Sequence, residues 1–309
     1  MKHIVIAIAA SALLAAPVFA GEHEAHHGEG HGAAHAEGHE AGHGAHHKTV
    51  SNKVIAAQRK ALAKSTKGKG FGPQAPRDID AVEGKNKRVF SQAPASTSMN
   101  LCNIHFHKNA EHKAKDFSIY AGNGNGEGYQ SGYTYDKSLL SEAELAPTRH
   151  KICDSSHSTL RPGDTIEVHY VYSTAQIKPG KGLGSCFNKN IPKQNPQLRV
   201  ETQVYVLVHD KHALSFKKLT KFKKQGGLYQ ATGIPDNTGT PVQYAGSTTG
   251  PGYNETGSPY QVTWSVRPHV AKVNIATVGK WCKKNAFEEN HGHGVRNLVK
   301  NKKLLSEIH

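Results

Sequence analysis

The chain has 309 residues, 39 of them Lys or Arg and 24 Asp or Glu, for a formal net charge of +15. That length can bury a sizeable core as one large domain or two ordinary ones. The charge raises nucleic acid as a partner, but the densest basic run, residues 217–224, holds one aromatic and no recognised nucleic-acid module surrounds it. No nucleic-acid role is expected, and the charge is assigned to solubility and to attraction of anions or an anionic surface.

In chain order, residues 1–20 read as a secretory signal peptide: Met1-Lys-His, an apolar run from Ile4 to Leu14, then Pro17-Val-Phe-Ala20 before the cleavage point. The apolar run is too short to cross a bilayer as a stable helix. No transmembrane segment is expected, and the mature chain is placed in the periplasm or outside the cell. Residues 21–47 are almost entirely His, Gly, Ala and Glu, from which no core can be built. A disordered tail is expected there, able to hold additional metal ions weakly and in many geometries, or else acting as a solubilising spacer. Residues 48–71 are Ala- and Lys-rich and predict a short basic helix serving as a linker, ended by Gly68, Gly70, Gly72 and Pro73.

The folded domain is expected over residues 72–309. Strand-like runs and turn residues dominate it, and only residues 297–308 carry a modest helical signal. The expected fold class is therefore mostly β, α+β with few helices. The alternating Gly and Asn of residues 122–132 suggest a shaped loop and not a phosphate cradle, because no P-loop lysine follows. Residues 197–208 make the best core strand, and no internal repeat is found.

Metal chemistry points to two further strands. In Asn103-Ile-His-Phe-His-Lys108, His105 and His107 project from one strand face while Ile104 and Phe106 project from the other. In Asp164-Thr-Ile-Glu-Val-His-Tyr-Val-Tyr172, preceded by a Pro162-Gly163 turn, Glu167 and His169 share a face. If these strands are neighbours, three imidazoles converge and leave one coordination position open, the pattern of a catalytic zinc. Four cysteines in an oxidising compartment suggest two disulfides. Cys153 and Cys186 flank the His169 strand, so their pairing would clamp it and leave Cys102 to Cys282. Free buried thiols are the alternative.

Five blocks then resemble one family: Met99-Asn-Leu-Cys-Asn-Ile-His-Phe-His-Lys-Asn-Ala-Glu-His-Lys113, Arg161-Pro-Gly-Asp-Thr-Ile-Glu-Val-His169, Gly246-Ser-Thr-Thr-Gly-Pro251, Val262-Thr-Trp-Ser-Val-Arg-Pro268 and His293-Gly-Val-Arg-Asn-Leu-Val299. Together they look like a delta-class carbonic anhydrase, with a distant echo of the alpha class. The resemblance implies one alpha-carbonic-anhydrase-like domain around a large, mainly antiparallel sheet, and zinc-dependent hydration of carbon dioxide to bicarbonate. It makes His105, His107 and His169 the Zn2+ ligands, and Asn103 and Glu167 the partners that orient them. Glu111 becomes a gate carboxylate, Thr248 or Thr249 the hydroxyl beside it, and Val171 and Trp264 part of the apolar substrate wall. His112, His291, His293 and the tail are candidates for carrying the proton away. Two rival readings remain: a cupin-like iron or manganese oxygenase, from the H-x-H-x-x-x-E spacing of His105, His107 and Glu111, and a non-enzymatic periplasmic protein that sequesters metal on its tail.

Overall fold

The computed structural model describes residues 49–88, 90–187 and 196–309. The expected signal peptide and His-rich tail lie outside the described residues. The elements run α1 (Asn52–Thr66), β1 (Asn100–Lys108), β2 (Ile119–Tyr120), β3 (Tyr133–Thr134), α2 (Glu142–Leu145), β4 (Thr165–Ser173), β5 (Leu198–Val208), α3 (Phe216–Leu219), β6 (Phe222–Gln225), β7 (Leu228–Ala231), β8 (Val242–Ser247), β9 (Gln261–Val266), β10 (Ala271–Asn274) and α4 (Ile275–Lys283).

The main sheet has the order β1–β4–β5–β9–β8. Its β1/β4, β4/β5 and β8/β9 pairs are antiparallel. β9 lies parallel to the first half of β5 and β10 parallel to the second. The expected mostly-β class with few helices is what the structure shows. β5 is buried along its whole length, as its apolar composition requires of a strand with neighbours on both edges and cover on both faces. Its two charged members are satisfied: the Arg199 guanidinium donates to the carbonyls of Ala93 and Pro94, and Glu201 Oε2 accepts from Ser265 and Arg267. Gly163 turns the chain into β4 at φ 85°, a left-handed conformation that glycine adopts without a Cβ clash.

The sheet separates two apolar layers. One holds Ile104, Phe106, Val168 and Tyr170 with Phe216, Val278 and Trp281 of α3 and α4. The other holds Val171, Val200, Tyr244, Val262 and Trp264. Strand alternation forces this division, since Phe106 and the neighbouring imidazoles point to opposite sides.

The basic segment expected as a linker does form a helix, and that helix packs on the body. α1 buries Ile55 and Leu62, Gln58 Nε2 donates to Gly126 O (2.8 Å), and Asn297 Nδ2 donates to Gln58 Oε1 (2.6 Å). The helix expected over residues 297–308 is replaced by an extended segment with one short turn, Lys302–Leu304. Its backbone is tied to residues 74–82 through Val299 N–H to Pro76 O, Gln74 N–H to Leu304 O and Ile308 N–H to Val82 O. These long-range bonds take the donors and acceptors that a helix would have used within itself.

The disulfides also differ from expectation. Cys102 pairs with Cys186 and Cys153 with Cys282, in place of Cys153–Cys186 and Cys102–Cys282. The reason is the sheet: Cys153 and Cys282 lie in the α4 layer, Cys102 and Cys186 in the other, so the expected bridges would have to cross it. The Cys102–Cys186 bridge also anchors the 180–186 turn, whose Gly180 N–H and Ser185 hydroxyl both donate to Cys102 O. Replacing Cys153 and Cys282 by Ser should cost about 2–5 kcal/mol of stability while leaving metal affinity unchanged. Replacing Cys102 and Cys186 should lower both, read by thermal unfolding and zinc titration of the two double variants.

Candidate metal centre

The antiparallel register of β1 and β4 sets His105 directly opposite His169, and His107 opposite Glu167. Side chains on one face of such a pair are near neighbours. The three rings accordingly meet at centroid distances of 5.2 Å (His105–His107), 5.1 Å (His105–His169) and 4.6 Å (His107–His169). One nitrogen from each lies within 4.8 Å of the others.

The remaining nitrogen of each ring is held by an acceptor, which fixes the tautomer. His105 Nδ1–H donates to Asn103 Oδ1 at 2.6 Å and His107 Nδ1–H to Gly294 O at 2.8 Å. His169 Nε2–H donates to Glu167 Oε1 at 2.7 Å. The lone pairs left facing the centre are Nε2 of His105, Nε2 of His107 and Nδ1 of His169. His107 Nε2 is buried without a hydrogen-bond partner, an arrangement that costs free energy unless something else binds it. A divalent cation that accepts imidazole nitrogen fits that need.

Electrostatics keep the rings neutral. Burial, reinforced by the other imidazoles, lowers His105 well below its usual range, and burial with His293 beside it lowers His107 to about 4. Burial lowers His169 too, against a pull in the other direction from Glu167. Behind His169, the Glu167 carboxylate accepts from both the backbone N–H (3.0 Å) and Nδ1–H (2.7 Å) of His112, whose Nε2 accepts from Tyr244 OH (2.6 Å). Burial opposes the Glu167 charge, yet His112 and His169 hold it well below the ordinary carboxylate range.

Glu111 is buried 3.8 Å from His169 Nε2 and 3.7 Å from His107 Nδ1. Both its oxygens are engaged: Oε1 accepts from Arg296 N–H (3.0 Å) and Oε2 from the Thr249 hydroxyl (3.1 Å). Of the two threonines singled out from sequence, the structure brings Thr249 to Glu111, whereas Thr248 Oγ1 pairs with Ser258 Oγ at 2.8 Å. Burial pushes the Glu111 carboxyl up, opposed by His169 and by the Arg296 N–H. Trp264 packs edge-on to His169 at 5.1 Å, and Val171 and Trp264 share one buried apolar cluster. Among the candidate proton carriers, His112 is sealed at both nitrogens. The His293 side chain is 40% exposed, bonded to Glu289, and its ring lies 5.4 Å from His105 and 5.6 Å from His291.

Several contributors escaped the sequence reading. Gly294 and Arg296 lie within the fifth family-like block but were given no role, because they act through backbone atoms, and Tyr244, which acts through His112, carries no signature. The segment that supplies Gly294 and Arg296 is braced by the Gly-rich loop: Val295 N–H donates to Gly128 O at 2.8 Å. Gly128 sits at φ 108°, and a Cβ there would lie 2.5 Å from Val295 O, so no other residue fits without moving that segment.

Among solved structures, the chain is similar to the alpha-carbonic anhydrase of Thermovibrio ammonificans in complex with the inhibitor sulfanilamide (16% identity, 78% of this chain and 89% of that chain, TM-score 0.26). It is likewise similar to the Photobacterium profundum alpha-carbonic anhydrase (14% identity, 80% and 94%, TM-score 0.25) and to a fungal alpha-carbonic anhydrase from Aspergillus oryzae (15% identity, 74% and 84%, TM-score 0.24). Scores this low carry no argument for the assignment. No curated protein matches the sequence. The assignment rests on residues 96–277, which match the delta carbonic anhydrase family model and include His105, His107, His169, Glu111 and Thr249. With that match spanning more than half of its length, the chain belongs to the delta carbonic anhydrase family.

Proposed function

We propose that the protein is a carbonate dehydratase, a lyase that reversibly hydrates carbon dioxide to bicarbonate and a proton, with Zn2+ held by His105 Nε2, His107 Nε2 and His169 Nδ1. The observation that carries this reading is the set of three neutral imidazole nitrogens turned to one point, one of them buried and unpartnered. Zinc bound there supplies the Lewis acidity that makes water a nucleophile near neutral pH, for which carbonic anhydrase is the standard example.

The chain's own residues account for the rest. The Thr249 hydroxyl has committed its hydrogen to Glu111, so it can only accept a hydrogen bond from a molecule in the site. A nucleophile that still carries a proton is thereby oriented with a lone pair toward the substrate, and an anion with no proton is disfavoured. Glu111 can play this part because Arg296 N–H holds its other oxygen in place. Val171 and Trp264 offer an apolar surface to carbon dioxide, which makes no strong hydrogen bonds and loses little on leaving water. The His293 ring, 40% exposed and 5.4 Å from His105, offers a stepping point for the departing proton.

The cupin-like reading needs Glu111 as a ligand, but both its oxygens are engaged by protein donors. The sequestering reading leaves the ordered partners of all three rings without purpose; weak capture of additional metal ions by the tail stays compatible with catalysis. Secretion or a periplasmic location is supported by the bridging of all four cysteines, which an oxidising compartment favours.

Stopped-flow carbon dioxide hydration by zinc-loaded protein tests the proposal, and a folded, zinc-loaded wild type with no activity would refute it. His169→Ala should abolish activity and zinc retention together. Thr249→Ala should keep zinc and lose about a hundredfold in rate, as for loss of one preorganised polar group, whereas Thr248→Ala should lose much less. Zinc binding should also release few protons in mildly acidic buffer. At about pH 6, three ordinary imidazoles would shed about two protons on binding metal. With His105 lowered well below its usual range, His107 lowered to about 4 and His169 lowered by burial against the pull of Glu167, titration calorimetry in buffers of different ionisation enthalpy should show clearly fewer than two.

A further inference from the structure

We propose that the face formed by α3, β6 and the end of α4 is a docking surface for an anionic lipid bilayer. α3, β6 and the turn between them carry the exposed Lys217, Lys218, Lys221, Lys223 and Lys224, and the last turn of α4 adds Lys280 and Lys283. None of them forms an ion pair among the described residues, while Lys113, Lys151, Lys272 and Lys302 elsewhere each have a carboxylate partner. The sequence explains the contrast, since residues 211–235 and 256–287 contain no Asp or Glu.

Packing gathers these charges on one side. Phe216 of α3 meets Trp281 of α4 at a centroid distance of 5.2 Å, and Phe222 of β6 meets Phe287 at 5.6 Å. The aromatic rings point into the layer over Phe106, so the lysines are left on its outer surface. That layer lies across the sheet from the imidazoles, and a partner bound there leaves the metal centre uncovered.

The form of the surface selects the partner. The charges are spread over two helices and a hairpin, and the pockets lined by Phe187 and Tyr260, by Asp78 and Lys300, and by Arg59 and Tyr120 take in none of them. A spread of exposed lysines outside those three pockets matches an extended array of negative charge better than a discrete anion. Stacking platforms for nucleic-acid bases are lacking, because Phe222 packs inward and Lys224 Nζ covers the Tyr229 ring at 5.9 Å. Leu214, two residues before the start of α3, is 43% exposed, an apolar side chain that an interfacial layer can bury.

The test is co-sedimentation of the chain from Gly21 onward, without the expected signal peptide, with phosphatidylcholine vesicles, with and without phosphatidylglycerol, at rising salt. Binding is expected only to the anionic vesicles and should fade with salt. The triple variant Lys217→Glu, Lys221→Glu, Lys224→Glu should bind about a hundredfold more weakly, with carbon dioxide hydration in solution and circular dichroism unchanged. A control of equal charge change on α1, Lys53→Glu, Lys60→Glu, Lys64→Glu, should lose far less. Equal loss in the two variants would mean that net charge alone drives binding, and the proposal would fail. It would fail equally if neutral vesicles bound as well, or if a single-stranded oligonucleotide displaced the vesicles.

Discussion

Everything at the centre depends on burying three imidazoles side by side without charging any of them. A buried cation beside two others is untenable, so each ring must stay neutral and turn one lone pair inward, which requires a claimant for its other nitrogen. Antiparallel pairing of β1 with β4 meets part of that demand. It places His105 across from His169, and on each strand the residue two positions earlier, Asn103 or Glu167, on the same face to take the outer N–H. The third claimant cannot come from this pair, and the chain supplies it from the distant carbonyl of Gly294.

The same distant segment completes Glu111. An unpaired buried carboxylate would cost several kcal/mol, and the cost is reduced here by Arg296 N–H on one oxygen and Thr249 on the other. Those donors come from two segments far apart in the chain, the end of β8 and the segment after α4. Two residues, 294 and 296, thus serve two different side chains of the site through backbone atoms alone. Their placement depends on Gly128, which lets the Gly-rich loop approach Val295 closely enough to hold it.

What could be read from sequence follows the same physics. Period-two alternation in β1 and β4 exposed the three histidines that converge, because one strand face is a local property of a few consecutive residues. The run at β5 announced a core strand for the same reason, and the structure buries it along its whole length. Disulfide pairing was misread because clamping β4 is a chain-order argument, whereas the deciding fact is which side of the sheet each cysteine faces. Residues 297–308 misled because their apolar spacing suits a helix, while their backbone bonds go to residues 74–82. Between Thr248 and Thr249, adjacent and chemically alike, sequence offers no discriminator; only the direction of each side chain at the end of β8 separates Glu111 from Ser258.

The sequence match ends at residue 277, yet the acceptor for His107 and the donor for Glu111 both lie beyond it. The matched stretch therefore contains the three converging histidines but not all of the groups that aim them. A segment without regular secondary structure can fill that role because its backbone is held at both sides, by Phe106 and Lys108 of β1 through His293 and by Gly128 through Val295. The histidine strand is in effect continued by one more partner, parallel to it at His107 and His293. Ligand geometry and the docking of the chain's end are consequently one structural event: the outer N–H of His107 has no claimant until residues 293–296 are in place.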